Sequence, residues 1–131
     1  MPRVTGVGGI FFKSRDPDTL RDWYRKHLEL PIQDWGGVAF RWRELEQPER
    51  EGATAWSIFP ASSTYFDPSP SPLMINYRVA NLTEVLDQLR TEGCQVDDKV
   101  EESEFGKFGW VMDPEGNRIE LWEPPPGKFP G

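Results

Sequence analysis

Two residue types that often build reactive centres are nearly missing from this chain of 131 residues: it has one cysteine, Cys94, and one histidine, His27. A single cysteine closes no internal disulfide and makes no thiolate cage. Following Gly93 at an expected helix-to-strand turn, Cys94 reads as a small buried apolar residue. His27, in WYRKHLEL near the end of an expected helix, reads as packing or a helix-end charge rather than as a ligand. Long apolar runs are missing too. None approaches ~18 residues, so no membrane-spanning helix is expected. The start, MPRVTGVGG, lacks the apolar stretch of a secretory signal, and the cytoplasm is the expected compartment. Positive charge is in deficit: 15 Lys and Arg stand against 22 Asp and Glu, for a net charge of −7. Such a surface repels phosphate backbones and anionic lipid, so neither nucleic acid nor membrane is an expected partner.

What the chain has in quantity is rings. Aromatic residues make up 13% of it, and six are tryptophan. That is more than core filling alone asks of a short chain, and large amphipathic rings concentrate in pockets and interfaces. Hydrophobic residues at 37% and charged residues at 28% otherwise match an ordinary globular domain. The length points to one domain able to bury its own core.

The chain also repeats itself. GGIFFKSRDPDTLRDWYRKHLELPI, from Gly8, and LMINYRVANLTEVLDQLRTEGCQV, from Leu73, share one order of signals. Each opens on a strand-like run and then offers an N-cap, Asp16 or Asn81, whose short side chain can hold an orphan N–H of the first turn. Pro17 suits the first helical position, and Glu84 completes a capping-box pattern with Asn81. Leu20, Trp23, Tyr24 and Leu28 recur at helical spacing, as do Leu82, Val85, Leu86 and Leu89. Pro31 and Gly93 are the expected stops. TAWSIFP closes the first unit and RIELWEP the second; Gly9 to Trp56 is 47 positions and Met74 to Glu120 is 46. GGVAFRWRE reads as a strand, QPEREG as a hairpin loop, and GWVMDPEGNRIELW as a hairpin whose DPEGN turn has Asp, Pro and Gly where a turn needs them. PASSTYFDPSPSPL reads as a linker and PPPGKFPG as polyproline II.

The strand before DPDTLRDWYRKHLEL, the strand MINYRVANL and the hairpin MDPEGNRIELWEP together resemble the glyoxalase, bleomycin-resistance and extradiol-dioxygenase (vicinal oxygen chelate) superfamily, from about Thr5 to Pro124. The resemblance implies an α+β fold: two tandem βαβββ modules forming a curved mixed sheet around a shared cleft. Module one would run from about 4 to 60, a linker from about 61 to 72, and module two from about 73 to 124. It also implies a homodimer. One fold of this kind serves many chemistries.

In metal-bearing members, matching positions of the two halves supply His or Gln from the first strand and Glu from the last. A divalent ion held this way can polarise two neighbouring substrate oxygens. Carried onto this chain by counting from the N-caps, the first-strand positions fall on Gly9 and Met74. The last-strand positions fall on Trp56 (Ala55 or Ser57 if the register slips by one) and on Glu120. Only Glu120 keeps the ligand type, and His27 stands on a helix behind the sheet. The leading expectation is no metal and no other cofactor, with a divalent metal as the alternative.

Strand alternation then gives the pocket. With Gly9 inward, Val7 and Phe11 face the cleft while Gly8 faces away. Met74, Asn76 and Arg78 follow from the second unit, Trp56 and Ile58 from the end of the first, and Glu120 with Trp122 from the last strand. The expected ligand-binding set is Phe11, Trp56, Ile58, Met74, Asn76, Arg78, Trp110 and Trp122. Glu120 is the candidate catalytic group: an orphaned ligand position paired with Arg78 or Lys13, or a group that orients a substrate or acts as a base with its pKa raised by apolar neighbours, or a metal ligand. The stretch EFGKFGW is either a strand with an irregular entry or an aromatic rim with Lys107. Tyr65 and Phe66 are rings in a Ser/Pro segment that should dock on the pocket mouth or a partner subunit. The leading expectation is a metal-free protein that binds a small aromatic or amphipathic molecule. A metal-dependent lyase, isomerase or dioxygenase of the glyoxalase type with an atypical site around Glu120, and an interaction module with a vestigial pocket that fills its own cavity, are the alternatives.

Overall fold

A computed structural model describes residues 3–126; the last part of the expected polyproline tail, 127–131, lies outside the described residues. Ten elements follow in order: β1 (Val4–Ser14), α1 (Pro17–Leu28), β2 (Gly37–Arg43), β3 (Glu51–Pro60), β4 (Leu73–Val79), α2 (Leu82–Thr91), β5 (Gln95–Val96), β6 (Glu101–Ser103), β7 (Gly106–Met112) and β8 (Arg118–Glu123). They build one curved mixed sheet in the order β2-β3-β1-β4-β8-β7-β5, with β6 on β7. The two units meet within the chain at the antiparallel β1–β4 pair, and each carries its own parallel pair, β1 with β3 and β4 with β8.

The local signals act as their chemistry requires. Asp16 accepts from the Thr19 N–H at 3.2 Å and Asn81 from the Glu84 N–H at 3.0 Å, so each helix start has its side-chain cap. Helix α1 ends on Glu29, a non-glycine in the left-handed region at φ 54, two residues before Pro31. After α2 the chain turns on Gly93 at φ 82. Asp113 Oδ1 accepts from the N–H groups of Glu115 and Asn117, each at 2.9 Å, which shapes the β7–β8 turn.

Two details differ from the expected pair of βαβββ modules. Among the described residues the first unit has three strands, because the stretch from Glu29 to Gly36 forms no ladder. Pro31 has no N–H to give one, and the Ile32 N–H turns back to the Leu30 carbonyl at 2.9 Å. Cys94, expected to be buried, is exposed; its backbone N–H is used at the end of α2, on the Leu89 carbonyl, while its side chain faces water.

The core is lopsided. Under α2, Leu82, Val85 and Leu86 pack on Val79, Val111 and Leu121. Each such side chain contributes about 1.5–3 kcal/mol through burial. Helix α1 buries no residue fully among the described residues, and it meets the sheet through the Tyr24 ring, which packs on Phe12 and Trp56, and through Arg21, which donates to the Ile58 carbonyl.

Candidate functional site

The helices cover one face of the sheet. On the other, strands β3, β1, β4 and β8 lie side by side, and their register sets Ala55, Gly9, Asn76 and Glu120 in one row. In β1 the pairing with β4 slips between Val7 and Gly9, a bulge that breaks the strict alternation of the strand. Gly8 therefore faces this row, not the opposite side as alternation predicts. A Cβ on Gly8 would stand 2.3 Å from Asn76 Oδ1 and 2.8 Å from the Trp122 ring. Asn76 and Trp122 thus settle onto bare backbone, which only glycine allows here.

Glu120 is the centre of the arrangement. It is 2% exposed. Three donors reach its carboxylate among the described residues. Asn76 Nδ2 donates to Oε1 at 2.6 Å, while Trp110 Nε1, at 3.1 Å, and the Tyr65 hydroxyl donate to Oε2. Burial pushes its pKa above the ordinary carboxylate value, and the bonds from Tyr65, Asn76 and Trp110, then the charge of Arg118, pull it back. Burial, reinforced by the Glu120 charge, drives the Tyr65 hydroxyl far above its usual range, so it stays protonated and donates. Asn76 spends its amide on Glu120, and its Oδ1, buried against Gly8, has no partner among the described residues.

The space over this row is occupied by the chain itself. Phe66, Met74 and Trp110 form a buried cluster with Phe11, Phe59, Tyr65 and Phe108 packed against it. Tyr65 and Phe66 come from the segment between β3 and β4, which folds across the helix-free face as it joins the two units. Phe66 is 0% exposed. The Tyr65 ring stacks on Phe59 at 5.6 Å, and the Lys13 ammonium stands 5.2 Å over the Phe66 ring. Arg118 donates to the Tyr65 carbonyl while its guanidinium lies 4.8 Å over the Trp110 ring. The rings foreseen as docking on a pocket mouth or a partner subunit dock in the chain's own cleft.

Of the nine expected site residues, Phe11, Met74, Asn76, Trp110, Glu120 and Trp122 gather on this face. Trp122 donates from Nε1 to the Phe105 carbonyl at 2.8 Å and stacks on Phe108, so EFGKFGW is both a strand and one wall of the site. Arg78 shares the face by register, but its guanidinium leaves Glu120 alone. It bonds Thr5, the Glu51 carbonyl and Glu44, and lies 4.7 Å over the Trp42 ring. Lys13 stacks on Phe66 and does not pair with Glu120; the cation whose charge Glu120 feels is Arg118. Trp56 and Ile58 are corrections. Register puts Ala55, not Trp56, in the row with Glu120, and Trp56 packs on Phe12 and on Tyr24 of α1. Ile58, its partner two residues on, lies beside Phe12 on the same covered side. Val7, also expected inward, is 39% exposed and pairs with Tyr77, whose ring packs under α2. Arg118 and Phe59 escaped the sequence reading, although both follow by alternation from Glu120 and Ser57.

The row can be tested as a metal site. It supplies one carboxylate, one carboxamide, a hydrogen and a methyl group, and both oxygens of the carboxylate already accept from neutral donors. Among the described residues no three His, Cys, Asp or Glu side chains come together. A divalent ion would have to displace those donors and take most of its ligands from elsewhere. These residues do not fit the ion that the sequence resemblance implies. What the arrangement offers instead is one buried acceptor pair in a wall of rings.

Comparison with known proteins agrees with the architecture. Residues 9–122 match the family model described as a glyoxalase-like domain. No curated protein sequence matches the chain. Among solved structures, the methylmalonyl-CoA epimerase from Mycobacterium tuberculosis is similar, with a TM-score of 0.65 at 18% identity over 96% of this chain and 92% of that one. A methylmalonyl-CoA epimerase bound to methylmalonyl-CoA and NH4+ gives a TM-score of 0.69 at 14% identity over 97% and 99%. An NAD-dependent benzaldehyde dehydrogenase from Legionella pneumophila gives 0.59 at 11% identity over 89% and 98%. At such identities the likeness is one of fold. Among the described residues no helix is long and apolar enough to cross a membrane.

Proposed function

The chain belongs to the glyoxalase-like domain family, and from that premise we propose that it is a metal-free binding protein for a small aromatic or amphipathic molecule held over Glu120. The observation that carries this reading is the composition of the space around that carboxylate. Rings from β1, β3, β7 and the 61–72 segment surround it, and every donor on it is neutral. Apolar walls with a few placed polar groups are the usual recipe for a ligand site. The epimerases' substrate does not transfer on fold alone, and a net charge of −7 gives little welcome to a polyanionic carrier. The test is a thermal-unfolding screen of neutral aromatic compounds on the wild type and on Glu120→Gln. A ligand of the cleft raises the melting temperature of the wild type by mass action and raises that of the variant less. A screen in which compounds shift both proteins alike contradicts the assignment of the site.

One observation favours a second reading, an interaction module with a closed cleft: Phe66 retains no exposed surface and Tyr65 already sits on Glu120. A screen in which nothing shifts either protein selects that reading.

A further inference from the structure

Tyr65 occupies its place as a ligand would. It is not part of the sheet and arrives on a segment between two strands. Its ring lies stacked on Phe59, interplanar angle 19°, and edge-on to Trp110, 87°. Its hydroxyl donates to the oxygen of Glu120 that also receives the Trp110 N–H. The segment behind it is held by few backbone bonds. Asp67 N–H to the Thr64 carbonyl and Ser69 N–H to the Phe66 carbonyl, each 3.0 Å, are internal to it, and its two ends are tied to β1 by the Ala61 N–H on the Ser14 carbonyl and the Lys13 N–H on the Pro72 carbonyl, each 2.8 Å. Its attachment to the cleft itself is mostly side chains: the Tyr65 hydroxyl, the Phe66 ring under Lys13, and Arg118 on the Tyr65 carbonyl. A group attached this way can exchange for another molecule offering the same ring and the same donor.

We infer that Tyr65 is an internal stand-in for the cleft's ligand, that the ligand is a neutral aromatic molecule bearing a hydroxyl, and that segment 61–72 leaves the cleft when the ligand enters. This rests on the reading of the cleft as a ligand site and goes beyond it by naming the chemical class and the gate. The class follows from Glu120. Its Oε2 is an acceptor desolvated among rings, so an incoming ring without a donor would leave it short of one bond, and that shortfall is what separates a phenol from a hydrocarbon of the same shape. The gate follows from the geometry, since ring and hydroxyl cannot both be present twice.

The experiment uses p-cresol, which copies the Tyr65 side chain, and toluene, which lacks only the hydroxyl. Affinities are measured by calorimetry on the wild type, Tyr65→Phe and Tyr65→Gly, with amide hydrogen exchange followed across 61–72. The expected result is that p-cresol binds the wild type and speeds exchange at Asp67 and Ser69, while toluene binds at least about tenfold more weakly. Removing the competing occupant in Tyr65→Gly tightens p-cresol by at least about tenfold. Tyr65→Phe, which keeps the ring and loses only the hydroxyl, serves if the glycine variant fails to fold, and tightens p-cresol by a smaller factor. Binding of p-cresol to the wild type with exchange in 61–72 unchanged overturns the gate and leaves the binding reading standing. Toluene bound as tightly as p-cresol overturns the chemical class. No binding of either probe to any of the three proteins overturns this inference and the binding reading together.

Discussion

The two units of the sheet descend from one pattern in the sequence, and they carry different loads. The second unit packs α2 onto its strands through Leu82, Val85 and Leu86, and it also supplies Asn76, Trp110, Glu120 and Trp122 to the helix-free face. The first unit leaves Trp23 at 49% and Leu28 at 57% exposure on α1 and holds that helix through Arg21, bonded to the Gly36 and Ile58 carbonyls, and through the Tyr24 ring. Its contribution to the site is space and rings: Gly8, Gly9, Phe11 and Phe59. A repeat in sequence therefore predicts a repeat in topology, while stability and chemistry are decided by which side chains meet.

The two units differ most at their helices. Leu86→Ala should cost about 2–5 kcal/mol in denaturant unfolding, through lost burial and the cavity left behind. Leu28→Ala should cost less than about 0.5 kcal/mol because water already covers more than half of that side chain. Equal costs would mean that the first unit is packed as tightly as the second.

At the site the contrast is between a carboxylate held by buried donors and one in water. Glu120→Ala leaves Tyr65, Trp110 and Asn76 with donors and no acceptor, and should cost about 3 kcal/mol. Glu51→Ala, whose partners Arg41 and Arg43 are solvated, should cost far less, as the loss of a surface ion pair does. Next comes the bulge. Gly8→Ala drives a methyl into Asn76 and Trp122, which are themselves pinned, and should cost about 1–3 kcal/mol. Gly9→Ala meets the end of the Phe11 ring at 2.6 Å, which can swing, and should cost less. The reverse order would show that Asn76 and Trp122 are free to move.

The smallest expected effect is in pH. Burial raises the Glu120 pKa in the folded protein above its ordinary value of 4.5. Between that value and the raised one the folded state binds more protons than the unfolded chain, so this group's contribution to stability falls as pH rises. The difference in unfolding free energy between wild type and Glu120→Gln should therefore shift against the wild type as pH climbs above about 4.5, then level off. A difference that moves the other way would show that the three donors outweigh burial.

Much of the fold was legible because its punctuation is chemical: Asp16, Pro17, Asn81 and the DPEGN turn act through their side chains, and Gly93 through the lack of one, to fix helix ends and hairpin. Met74 and Glu120 were legible from the family resemblance, and Asn76 and Trp122 then followed by alternation along β4 and β8, where no bulge intervenes. Trp56 and Ile58 were not. A count of 47 positions in the first unit against 46 in the second differs by one, and in a strand one residue is the other face. The bulge between Val7 and Gly9 misdirected Gly8 for the same reason. Periodicity says nothing about where a segment such as 61–72 goes. The cue there was compositional, two rings in a Ser/Pro stretch that needed something to pack on, and it predicted docking without naming the surface.

On the proposed reading, Glu120 serves a ring-walled cleft without a metal ion. The most direct measurement is thermal unfolding of chelator-treated protein with Ni, Zn, Mn, Fe(II) and Mg added singly, beside elemental analysis of the untreated protein. The expected result is no stoichiometric metal and no rise in melting temperature with any of the five. One metal bound near one per chain, with a rise that Glu120→Ala abolishes, would contradict it and return the site to oxygen-chelating chemistry.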